Sequence, residues 1–117
     1  MEGILLLYRP YEPKPEIIEF AAEPEFSELR ALVGGDLEAV PGFFSIEHEG
    51  AVRRCVAFCD ADGKRKGLPL NMTATILWHN ALRREMGIGL IRRDGKRADH
   101  LVGPVSILFG THEDESN

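Results

Sequence analysis

Residues 60–71 read DADGKRKGLPLN, and the fold turns on what this stretch joins. It opens with Asp-x-Asp, runs through three cations, and ends on an asparagine directly before a helical pattern. Asn71 suits an N-cap, because its side-chain oxygen can accept a backbone N–H from the first helical turn. Behind it Ala74, Leu77, Trp78, Ala81 and Leu82 recur at helical spacing and make one apolar stripe. Arg83 and Arg84 favour the negative end of that helix, and Gly87 supplies its stop. Ahead of Asp60, residues 52–58 read as a strand. The stretch is therefore expected to be a strand–loop–helix junction.

The same residues decide what the junction could bind. Calcium fits poorly: counted as an EF-hand from Asp60, Lys64 and Asn71 stand where the loop needs an acceptor and a glutamate. A strand, not a helix, also precedes it. An anion fits better. Lys64, Arg65 and Lys66 lie just before a helix N-terminus, with its orphan N–H groups and positive dipole end, and Thr73 adds a hydroxyl. Lys64, Arg65, Lys66, Asn71 and Thr73 are thus the candidate ligand-binding residues. The competing interpretation is a solvated loop turned by Asp62-Gly63, whose charges keep it soluble.

Working outward, residues 3–9 carry the continuous apolar run of a central strand, and residues 10–15, with three prolines, break it. Residues 16–21 alternate as a strand. Pro24 suits the first position of a short helix with Phe26, Leu29 and Val33 on one face, stopped by Gly34-Gly35. Residues 36–40, 43–48 and 52–58 read as three antiparallel strands, with turns at Pro41-Gly42 and Glu49-Gly50. The third alternates imperfectly, since Arg54 shares the face of Val52. Leu90-Ile91 read as a short strand and residues 92–97 as a basic turn. Residues 102–109 form a last strand, where Pro104 implies an edge or the strand's first residues. The expectation is one α+β domain over residues 1–110, with an acidic tail at 111–117. Its mainly antiparallel sheet of about five or six strands packs against one longer and one shorter helix.

The chain has 117 residues and a net charge of −5, with 44% hydrophobic and 28% charged residues. That is ordinary for a domain with its own core. Residues 1–50 hold three Lys/Arg against eleven Asp/Glu, residues 51–100 eleven against five, and the remainder adds three acids. An isoelectric point near 5.3 and only nine aromatics argue against nucleic acid as a partner. No run is long enough to span a membrane, and the first residues lack a signal peptide's positive charge, so a cytoplasmic location is expected.

Cys55 and Cys59 sit too far apart along a strand for a disulfide and read as small buried hydrophobes on one face. They bring no further zinc ligands, so neither metal nor cofactor is expected. His48, His79, His100 and His112 fall in no catalytic motif. A cofactor-free enzyme would instead need a pocket pairing His79 or His100 with a carboxylate.

Three segments resemble a known family: LVGGDLEAV (32–40), FCDADGKRKGLPLNMTAT (58–75) and LVGPVSILFG (101–110). They are similar to a family of small bacterial, phage and plasmid domains of unknown function. The matched residues are Gly34 and Glu38; Asp62, Gly63, Lys64, Gly67, Leu68, Pro69, Asn71, Ala74 and Thr75; and Gly103, Pro104 and Val105. Cys59-Asp60 departs from the Asn-Glu of the family pattern. The resemblance implies a mobile-element or accessory setting and no established activity. It also implies a junction that acts as one unit, with Gly67-Leu68-Pro69 setting the approach to Asn71.

The expected function is a non-catalytic binding module for a protein partner or a small anionic ligand. An alternative is an acidic interaction surface or DNA mimic presenting Glu12, Glu16, Glu19, Glu23, Glu25 and Glu28. An edge strand near the C-terminus would permit a homodimer.

Overall fold

A computed structural model describes residues 2–87 and 99–111. The chain runs β1 (Gly3–Tyr8), β2 (Glu16–Phe20), α1 (Phe26–Val33), β3 (Leu37–Ala39), β4 (Ser45–His48), β5 (Ala51–Arg54), β6 (Val56–Asp60), α2 (Met72–Met86) and β7 (Val105–Gly110). Five strands form an antiparallel sheet in the order β2-β1-β7-β6-β3, while β4 and β5 make a separate hairpin. This is the expected α+β architecture.

The uniform apolar run of β1 follows from its position between β2 and β7, with core on both faces. Leu6 and Tyr8 face Ala74, Trp78 and Ala81 of α2, in a cluster that also takes Phe43 and Ile46 from the hairpin side. Leu5 and Leu7 face Leu29 of α1 in a smaller cluster. Two unequal helices on opposite faces of one sheet thus give two unequal cores. Each fully buried Leu or Ile stabilises by about 1.5–3 kcal/mol, so the α2 side holds most of the hydrophobic stabilisation. Among the described residues, no helix is long and apolar enough to cross a membrane.

The structure corrects several expectations. Residues 52–58 are two strands, broken at Cys55. Its N–H still pairs with the Phe44 carbonyl at 2.9 Å, whereas Val56 already pairs with Leu108 of β7. The uneven alternation has a physical cause: the hairpin and the main sheet present their faces differently, and the chain changes sheet within a residue. β3 pairs with β6 and not with β4. β7 is central, held by β1 on one side and β6 on the other, so it offers no free edge to a second copy. Pro104 sits just before the ladder, where its missing N–H costs nothing. At α1 the cap is Glu25, whose N–H donates to Glu28 Oε1 at 2.7 Å; Pro24 precedes the cap instead of starting the helix. Leu29 and Val33 are buried as expected, but Phe26 is 65% exposed. Both helices end on a left-handed glycine, Gly34 and Gly87. The readings at residues 90–91, 92–97 and 112–117 lie outside the described residues.

Candidate functional site

The junction folds from the inside out. Asp60, the last residue of β6, is 4% exposed. Its Oδ1 accepts the Asp62 N–H at 2.8 Å and its Oδ2 accepts from Lys66 Nζ at 2.7 Å. The Lys66 ammonium, opposed by burial and helped by the Asp62 N–H, holds this carboxyl below its ordinary range. The loop closes with the Gly67 N–H on the Lys64 carbonyl and the Leu68 N–H on the Gly63 carbonyl. The chain then runs alongside residues 101–103. The Asn71 N–H donates to the Leu101 carbonyl at 2.8 Å, and the Gly103 N–H to the Pro69 carbonyl at 2.8 Å.

Asn71 is the expected N-cap. Its Oδ1 accepts the Ala74 N–H at 3.1 Å. Its Nδ2 has a further role that spacing did not reveal: it donates to the carbonyls of Tyr8 at 3.0 Å and Gly103 at 2.8 Å. One amide, 1% exposed, thereby ties the end of β1, the approach to β7 and the start of α2. Thr75 adds to the same seam by accepting the Leu101 N–H at 2.9 Å.

The five candidate residues do not converge. Lys64 pairs with Asp99, Arg65 with Asp62 at 3.2 Å, and Lys66 with Asp60. Each cation of the loop is therefore matched by a carboxylate of the same chain. Asn71 is enclosed and its polar atoms are engaged, and Thr73 is half-buried within α2. Lys64 alone among the five lines a cleft, of about 250 Å³.

That cleft lies on the α2 side of the sheet, at the β3–β6 edge. Its floor carries the cross-strand pair Glu38 and Cys59. Trp78 forms a wall, fixed by an Nε1–H bond of 2.8 Å to the Pro41 carbonyl. Leu101, Val102, Lys64, Asp99 and His100 also line it. Burial pushes the Asp99 carboxyl up, but the Lys64 ammonium and the His100 N–H outweigh it and hold it below the ordinary range. Sequence reasoning missed Glu38 and Asp99 as site residues. Glu38 meets Cys59 only through a non-local strand pairing, and Asp99 meets Lys64 across 35 residues.

The chemistry of the lining is restrained. The His79 ring bonds the Asp99 main-chain carbonyl at 2.7 Å. Asp99 Oδ1 accepts the main-chain N–H of His100 at 2.8 Å, not its ring. Among the described residues neither imidazole hydrogen-bonds a carboxylate, although the His100 charge helps to lower the Asp99 carboxyl. Burial, then the Glu38 and Asp60 carboxylates, push the Cys59 thiol up to about 11, and burial pushes Cys55 up to about 12. Both stay thiols near neutral pH, which removes the nucleophilic form. Among the described residues, no three His, Cys, Asp or Glu side chains are placed to hold a metal ion.

Sheets, helices and cleft define a small α+β domain in which a five-stranded antiparallel sheet lies between two unequal helices, with a two-stranded hairpin beside it. The chain belongs to the family described as a domain of unknown function, DUF3846, which matches residues 1–117. No curated protein and no solved structure matches it.

Proposed function

We propose that the domain is a non-catalytic binding module and that its ligand site is the cleft between the β3–β6 edge and Trp78. One observation carries this reading: an apolar wall and a set of charged side chains meet in a concavity large enough for a side-chain-sized ligand. Among the described residues the cleft's His79 and His100 rings make no hydrogen bond to a carboxylate, and this, with the raised thiols, favours binding over catalysis. Of the basic loop, Lys64 is the residue that lines the cleft, where its pairing with Asp99 sets how much of that carboxylate a ligand meets.

The test is an NMR titration with phosphates, nucleotides and small amines, read at Glu38, Cys59 and the Trp78 indole. Ala61 is exposed and lines the cleft, so Ala61→Trp fills it without touching the core. A ligand that shifts these signals in the wild type and not in Ala61→Trp supports the reading. If no compound moves them at millimolar concentration, the reading fails.

A second reading rests on Glu12, Glu16, Glu19, Glu23, Glu25 and Glu28, all of them exposed. They would be the working surface of an acidic interaction protein. Two are already engaged, Glu16 by Arg9 at 2.7 Å and Glu28 by the Glu25 N–H. Alanine at Glu12, Glu19, Glu23 and Glu25 should then abolish retention of a basic partner; unchanged retention ends this alternative.

A further inference from the structure

Resting on the cleft as the ligand site, we infer that the group it recognises is a cation, an alkylammonium or guanidinium, and that Glu38 is the residue that takes it. This reverses the anion that the loop composition suggests.

The argument starts from which charges are already matched. Lys64, Arg65 and Lys66 are each paired within the chain. An anion entering here would have to displace a carboxylate that the fold itself supplies. Asp60 is committed to Lys66 and to the Asp62 N–H, and Asp99 to Lys64 and the His100 N–H. Glu38 alone of the lining carboxylates has no hydrogen-bond or ion-pair partner among the described residues. It stands beside Cys59, whose protonated thiol adds no charge and only a weak donor. The field at the floor agrees: among the described residues, the charged groups acting on Cys59 are three carboxylates, Glu38, Asp60 and Asp99, against one cation, Lys64.

The apolar part of the cleft fits the same ligand class. A lysine or arginine side chain has an apolar stem and a charged head, and it lays the stem on apolar surface while keeping the head at a polar edge. Pro41 and Val102, with the exposed edge of Trp78, offer that surface and Glu38 that edge. A free carboxylate is acceptor-only, so it complements the donor-only ammonium and guanidinium groups and repels phosphate.

The probes are N-acetyl-lysine methylamide and N-acetyl-arginine methylamide, with N-acetyl-glutamine methylamide as the uncharged comparator and inorganic phosphate as the anion. Cadaverine, run beside the lysine amide, separates a free diamine from a peptide side chain. The cationic amides should shift the Glu38, Cys59 and Trp78 signals where the glutamine amide does not. Glu38→Gln should weaken them about tenfold, the equivalent of one charge-assisted hydrogen bond, and Ala61→Trp should abolish them. Lys64→Met frees Asp99 and should tighten the amines; an anion site would lose phosphate instead. Amines that bind no better than the glutamine amide, or bind Glu38→Gln equally well, overturn the inference. Phosphate binding blocked by Ala61→Trp overturns it too, while leaving the cleft as a binding site. Silence from every probe removes both.

Discussion

The two ends of residues 60–75 carry similar polar residues and treat them in opposite ways. At the helix end, Asn71 is 1% exposed and spends its amide on three internal partners. At the loop end, Lys64 keeps a side chain 52% exposed, paired with an Asp99 that is 62% exposed, beside a cleft with room in it. A buried amide whose partners are all main-chain groups has nothing to offer a ligand and much to lose by moving. An exposed ion pair costs little to open. The contrast teaches that the helix end holds the fold and the loop end is where binding can occur.

The strongest way to break that contrast is at Asn71. Asn71→Ala removes the cap and leaves the Tyr8 and Gly103 carbonyls buried without a donor. A cap is worth about 1 kcal/mol and each of the two orphaned buried groups about 1–3 kcal/mol, so the expected loss is about 3–7 kcal/mol in urea unfolding. Asn71→Asp refines the point, since it keeps the cap acceptor but turns an anion toward two carbonyls. It should lose nearly as much. A neutral Asn71→Asp would mean that the residue is only a cap.

Asp60 stands between the two extremes, buried like Asn71 but paired with a Lys66 side chain that is 39% exposed. Gly35→Ala would place a Cβ 2.6 Å from Asp60 Oδ2, so the carboxylate must shift from the position in which it pairs with Lys66. Overpacking of this kind costs about 2 kcal/mol. Asp60→Asn, which keeps the shape and removes the charge, should cost about 1–2 kcal/mol once solvent screening at the lysine is allowed for. The pH dependence has a definite sign. The folded carboxyl is held below its unfolded value near 3.8, so its contribution is complete above that pH and lost as pH falls through the lower folded value. Wild type and Asp60→Asn should therefore converge in stability on acidification. A gap that stays constant from pH 6 to the acid limit would show that the pair adds nothing.

Much of this was legible in the chain, for local reasons. The Asn71 cap, the α2 stripe and the glycine stops are all decided within one or two turns of chain. What was hidden is non-local. The break at Cys55 depends on Phe44 and Leu108, and the central place of β7 depends on both neighbours. The cleft exists because Glu38 and Cys59 are set side by side and Trp78 is pinned to Pro41. Composition marked the loop as basic, but it could not show that Asp99, Asp62 and Asp60 match its cations.

Lys64→Ala should have the smallest effect and sharpens the comparison most. Both members of its pair are more than half exposed, so water screens the attraction and the long lysine chain loses entropy in holding it. Removing it should cost under about 0.5 kcal/mol, and less still in high salt, because exposed pairs are screened. Asp99 keeps its bond from the His100 N–H, and the His79 ring keeps the Asp99 carbonyl, so the segment stays in place without the lysine. A loss as large as that at Asn71 would mean that Lys64 holds the loop, and the division between a structural end and a binding end would disappear. A near-silent loss, with amine binding raised by the freed Asp99, would put the two ends of the junction at opposite limits of the same test.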